Sequence, residues 1–484
     1  MRHPKLICVD PGPSVRGLLL FVFLLVCGTE AVAATCNSTG GGTWNAIARW
    51  SCGRVPLASD DVFVFNGHTV TIDTAAVAQS VTVNTGGILR FSTVAARSLA
   101  VGNAGAQGNV TIQTGATLDV DTASNVTHAL SLVGNLTNSG TLNLAPDANS
   151  LCNITFNRNG NQTVSGAGAY TFNRIILNMG ATNANILDVQ SNMTAPANFL
   201  TITNGTYKHS NTSNITPWTA DPAIPASGGF WLNAAATVTT TGINVTLNGG
   251  SLRISAGTMN IGNADNTLLT LGNFATTLFQ MDGGALTVTG GINSSSNTGA
   301  GTFTMSGGTI TLQTIDAGPV YTLLLGSATT LNWSGGTIFA VNGDATTDDV
   351  DIRSATQSVT GGTLQLGSAA TTSANDISYI NGVGGQLNVW NLVLASGTAR
   401  NHLMRSSTNI LNDLTIQALN NLNPSAGVAI NIGAGNASGT WTNNGTFTQG
   451  TTSVTFTGTS ATPAIGGTTA TTFKTSPSTR RRTI

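Results

Sequence analysis

The chain is short of charge. Only 8% of its 484 residues are Asp, Glu, Lys or Arg, and the formal net charge is −1. Glutamate occurs once, at Glu30, and lysine three times, at Lys5, Lys208 and Lys474. These absences exclude several readings. Helical domains draw on unbranched Glu, Lys, Gln and Leu, which lose little entropy in a helix. Here the polar filler is Asn, Thr and Ser, whose side chains compete with helix hydrogen bonds. Without a basic surplus the chain cannot neutralise phosphates, so a nucleic-acid partner is not expected. Long apolar runs are also missing. After the N-terminus no stretch approaches the ~20 apolar residues of a helical membrane span, so a membrane-spanning chain is not expected either. Disorder is excluded from the other side, by a hydrophobic content of 40%.

The first 33 residues read as an export signal. Arg2, Lys5 and Arg16 are basic, residues 18–27 are an apolar run, and Ala31-Val32-Ala33 is a small-x-small cleavage site. Cleavage leaves Cys36, Cys52 and Cys152. In an oxidising compartment Cys36 and Cys52, which flank the Trp44/Trp50 segment, are expected to form a disulfide. Cys152 is left as a small buried hydrophobe. Three cysteines without a neighbouring His pair do not make a zinc site.

Glycine is abundant, with 58 residues, and it carries the main signal, an internal repeat. The unit is Gly-x-apolar-x-apolar. It starts at Gly87, Gly140, Gly250, Gly284, Gly308, Gly336, Gly362 and Gly385. From Gly250 onward the spacings are 34, 24, 28, 26 and 23 residues. The alternation is that of a strand with one buried face, and the glycine supplies the turn. A spacing in the twenties matches three short strands and three turns, one coil of a parallel β-solenoid. Repeating β-sandwiches would need a period of ~100 residues. The expected fold is therefore all-β, a right-handed parallel β-helix with an N-terminal capping segment. The expected division is signal peptide at 1–33, cap at 34–85, repeats at 86–474 and an unstructured tail at 475–484.

Two features interrupt the array. The 206–231 stretch holds Pro217-Trp218, Asp221-Pro222 and Ile224-Pro225. Because proline cannot donate to a ladder, this stretch is expected to loop out of the stack. A longer repeat also brackets the array: Val164 to Phe172 and Ile465 to Phe473 are each eight residues apart. The first copy continues into the strand-like Asn173–Asn178. The second runs into Lys474–Ile484, which has no strand pattern, so the chain is expected to be part of a longer surface protein.

The N-terminal residues Trp50-Ser-Cys-Gly-Arg-Val-Pro56 and Asp60-Asp-Val-Phe-Val-Phe-Asn-Gly67-His-Thr-Val-Thr-Ile-Asp73 resemble the start of the eight-glycine domain of fibrocystin-like and bacterial surface proteins. The array after them is similar to secreted bacterial β-helix proteins of the haemagglutinin and autotransporter-passenger kind. That resemblance implies a secreted or cell-surface location and contact with extracellular carbohydrate or another surface ligand. It departs from the autotransporter pattern in that no membrane barrel is expected within these 484 residues.

β-Helices also carry polysaccharide lyases and glycoside hydrolases, the competing expectation. Hydrolysis needs two carboxylates at a fixed separation, and here only Asp can supply them. Asp60/Asp61 and Asp119/Asp121 sit at strand entries or on outward positions. Asp344, Asp348, Asp349 and Asp351, with Arg353 beside them, form the densest acidic set and the candidate calcium ligands. No other cofactor is expected. Trp218, on the expected loop, is the candidate for stacking on a sugar ring. The scattered His68, His128, His209 and His402 are expected at surface or turn positions.

Overall fold

In the computed structural model the described residues are 33–474, apart from 92–94, 104–107, 265, 314–320, 345–348, 384, 436–438 and 460–463. The signal-like segment before Ala33, Asp348 and the 475–484 tail lie outside them.

The described residues form short strands and a single 3-10 turn, Ile47–Arg49. Every ladder between strands is parallel and joins residues about 20 to 35 apart; only Ile186–Val189 pairs with the next strand, the far half of Leu200–His209. Leu252, for example, sits between Phe230 and Phe279. The result is a β-solenoid of about 17 turns. Parallel strands cannot be joined by tight hairpins, so the chain goes once around the stack before returning to the same sheet.

Alternation sets the packing. In Ser251–Ile254, Leu252 and Ile254 are fully buried while Ser251 and Arg253 point outward. Stacked over successive rungs, the inward Leu, Ile, Val and Phe residues make one continuous apolar column. The outward residues fall into register as well. One column runs Thr239, Asn260, Thr287, Thr311. Another runs Asn388, Asn409, Asn431, and its amides bridge the rungs at 2.8 Å each. Such columns pair polar groups along the stack without needing charge.

Three sequence expectations are corrected. The 206–231 stretch does not leave the stack. Ala223–Pro225 pairs with Val245–Asn248, and Ile215 bridges Val238. Its prolines stand at strand ends and turns, where their carbonyls still accept, as Pro217 does from the Leu200 N–H at 3.3 Å. Some glycine pairs do not end strands. Gly335-Gly336 and Gly361-Gly362 lie inside the long strands Ala328–Ala340 and Thr356–Leu366, where the register shifts by a bulge. Stacking also reaches back before residue 86: Thr35–Asn37 pairs with Asp61–Val64, which pairs with Ser80–Val83.

Beside the first strands of the stack Trp44 and Trp50 pack against each other. Both are buried, their rings meet edge-on at 5.0 Å, and the Trp50 Nε1–H donates to the Trp44 carbonyl at 2.8 Å. Cys36 and Cys52 are joined by a disulfide beside them, with Cα atoms 4.9 Å apart.

Candidate functional site

Of the acidic set of the sequence, Asp351 lies in the strand Val350–Ile352 and Asp349 just before it. Val350 and Ile352 face the core, so Asp349, Asp351 and Arg353 stand on the outer face. That face is covered: Leu324, Asp351 and Ser378, in neighbouring rungs, are 5%, 1% and 2% exposed. A buried charge must be paired, and each of these is. Arg353 donates through Nε and Nη2 to one Asp351 oxygen, at 2.7 and 2.6 Å, and the Gly382 N–H donates to the other at 3.0 Å. Arg353 also reaches the Tyr321 hydroxyl at 3.4 Å. Asp349 accepts from the Asp344 N–H at 2.6 Å, the Ser378 N–H at 2.7 Å and the Ser378 hydroxyl at 3.1 Å.

Burial pushes the Asp349 carboxyl up to about 7, against the pull of those three donors. A calcium site needs several oxygens converging on one point. Among the described residues Asp344, Asp349 and Asp351 form no such group, and the donors above occupy the last two. Asp348 lies outside the described residues. The arrangement is an internal strut linking rungs.

The one close group of potential metal ligands among the described residues is Cys36, Cys52 and Asp60. Its sulfurs are bonded to each other, and Asp60 accepts from Arg54 at 2.7 Å and from the backbone N–H groups of Ala34 and Leu57. Asp119, another acid singled out by sequence, pairs with Arg90 at 2.7 Å.

Trp218 is corrected from exposed to buried. It is 5% exposed and packs on Phe230 at 5.3 Å, because its loop folds against the stack. An outward tryptophan is Trp231, which sequence reasoning passed over. The alternation Phe230-Trp231-Leu232 announces it, since Phe230 and Leu232 are buried. Lys208 and Arg253, its register neighbours, lie over its ring at 4.5 and 4.2 Å. Asp188 and Asp282 hold those two cations at 3.2 and 2.7 Å. Cations over the ring leave no open face for a sugar.

Three of the four histidines are corrected too, while His68 is partly exposed beside the Asn66-Gly67 turn. His128, His209 and His402 are at most 1% exposed. His128 Nδ1 accepts from the Arg97 N–H at 3.0 Å, so its Nε2 carries the proton and donates to the Ser124 hydroxyl at 2.7 Å. In that tautomer it cannot act as a base for Ser124. His402 donates to the Asn420 side-chain oxygen at 2.8 Å, and burial lowers its pKa to about 4.

Three shallow grooves mark the outer surface. One of about 400 Å³ is bordered by Ser165, Gly168, Gln190 and Asn192. A second, also about 400 Å³, holds Asp147 beside Phe172 and Pro196. A third, about 350 Å³, holds Arg405. None of the three gathers two carboxylates.

Fold and side-chain arrangement define the chain as a parallel β-solenoid protein. No protein-family model, no curated protein sequence and no solved structure matches it.

Proposed function

We propose that this chain is an exported, non-catalytic surface module. It is a right-handed β-helix capped around Trp44 and Trp50, whose rigid polar faces engage extracellular carbohydrate or another surface ligand. The observation that carries the reading is the outward columns of Thr and Asn, held in register over many rungs. A regular array of hydroxyls and amides suits a repetitive polymer, with many weak contacts adding along its length. Export is supported by the signal-like N-terminus and by the Cys36–Cys52 disulfide. The eight-glycine resemblance points the same way.

Chemistry is a poorer fit. The best carboxylates are buried in ion pairs and backbone hydrogen bonds, and the three grooves named above, all among the described residues, hold at most one ionisable side chain each. The test is to incubate the purified chain with insoluble and soluble polysaccharides. Co-sedimentation and product formation are then followed together. The proposal expects retention on at least one polymer without new reducing ends or unsaturated sugars. Release of either product, abolished by Asp351→Asn, would replace it with a polysaccharide lyase or hydrolase.

A further inference from the structure

The Cys36–Cys52 disulfide has an inner and an outer sulfur. Cys36 lies in the strand Thr35–Asn37 with no exposed surface, whereas Cys52 is partly exposed in the turn Ser51-Cys52-Gly53. The next residue, Gly53, has a φ of +71°, and a Cβ there would meet no atom within 4 Å, so this side of the turn is open. A reagent from solution therefore reaches Cys52 and not Cys36.

Against the inner sulfur stands Asp60, which also has no exposed surface. Its Oδ2 lies 3.6 Å from the Cys36 Sγ, within reach of a proton on that sulfur once the disulfide is open. The same oxygen accepts from the Leu57 N–H at 2.8 Å and has a second lone pair for Cys36. Oδ1 accepts from the Ala34 N–H at 2.9 Å and from Arg54 at 2.7 Å, and Arg54 supplies the counter-charge that a buried carboxylate requires. The stack sets this position. Thr35–Asn37 pairs in parallel with Asp61–Val64, Cys36 opposite Val62, so Asp60 meets Cys36 only when those rungs are paired.

We propose that Cys36, Cys52 and Asp60 form a thiol–disulfide exchange site in which Asp60 takes up the proton as the bond closes. The co-reactant is an external disulfide, small or protein-borne. The Cys52 thiol loses its proton to solvent, and its thiolate attacks that disulfide, giving a mixed disulfide and expelling one thiolate. The Cys36 thiol then gives its proton to Asp60 Oδ2 while its sulfur attacks the Cys52 Sγ. The Cys36–Cys52 bond forms, the bond from Cys52 to the co-reactant breaks, and the electron pair leaves on a second thiolate. Asp60 returns its proton to solvent. The two cysteines lose two electrons and the co-reactant gains them. Closure thus follows folding, because the proton acceptor arrives with the paired rungs.

The test uses the full chain carrying Cys8→Ser and Cys27→Ser, reduced under native conditions and mixed with oxidised glutathione. Acid quenching and mass spectrometry separate the glutathione adduct on Cys52 from the closed disulfide. An unassisted thiol closes about tenfold faster per pH unit over about pH 6–8, because only its thiolate attacks. With Asp60 taking the proton, the closing rate changes by less than about threefold over that range. Asp60→Asn restores the steep dependence and slows closure near about pH 6 by roughly tenfold or more. The profile of the chain with Asp60 in place decides alone if Asp60→Asn does not fold. A steep profile there overturns the proposal. So does an Asp60→Asn profile as shallow as that one, or an adduct that forms on Cys36 instead of Cys52.

Discussion

The first coil and the last described coil of the same apolar column differ in how their aromatic side chains are buried. At the first, two tryptophans with almost no exposed surface pack edge-on, and a disulfide ties the segment that carries them. At the last, one half-buried phenylalanine rests on three other aromatic rings. The inward pattern is as apolar at both, so sequence polarity does not separate core from surface here. What separates them is whether another layer lies on top. In a solenoid each coil touches only its neighbours, so stability is local and a rung is as secure as its cover.

The comparison breaks most sharply at equivalent phenylalanines. Phe156→Ala, inside the stack, should cost about 3–5 kcal/mol, and Phe456→Ala, at the less covered coil, roughly a third of that. Local amide exchange around each site checks this, and equal losses would contradict the difference in cover. Next in size is the disulfide. Cys36→Ser with Cys52→Ser should cost about 3 kcal/mol, given the 16-residue separation. The loss should appear in the exchange of strands near residues 35–83 and leave Thr440–Asn443 unchanged. Smaller again is the glycine pair. Gly166→Ala and Gly467→Ala should each destabilise their own coil by more than about 1 kcal/mol, because both φ angles suit glycine and both Cβ positions meet a carbonyl. A neutral Gly467→Ala would show that the two coils are not equivalent.

The smallest net effect is that of pH, and it belongs to the rungs between the ends. The Asp349 pKa is raised to about 7 from 3.8, so its contribution is full below about pH 4 and is lost as pH rises through 7. His402 is lowered to about 4 from 6.5, so its contribution is full above 6.5 and is lost as pH falls through 4. Between pH 4 and 6.5 the two slopes oppose. The melting temperature of the unaltered chain should change little there. Asp349→Asn should melt progressively earlier toward acid, and a flat profile for that variant would remove Asp349 from the account.

Much of the fold was legible because the solenoid has a simple physical rule: an apolar residue at every second position, and a turn glycine at coil spacing. Gly250, Gly284 and Gly308 each stand before a strand of the stack. The rule fails where glycine bulges a strand instead of turning it, as at Gly335-Gly336. It also fails for the proline stretch, because a missing N–H matters only where the ladder needs a donor. The site was less legible. Spacing gathered Asp349, Asp351 and Arg353 into one acidic cluster, yet it could not show that Asp349 and Asp351 are buried. Trp218 and Trp231 exchanged roles for the same reason, since exposure depends on segments far away in sequence.

Everything rests on parallel rungs stacked in register. Spin labels along one outward column test this directly. Thr239 and Gln365 are five register steps apart, and Thr239 and Thr442 eight. At ~4.8 Å per step the backbone separations should be about 24 and 38 Å. Distances that rise in that proportion support the stack. Distances that fail to rise with the number of steps, as in two-layered lobes of antiparallel neighbours, would contradict it.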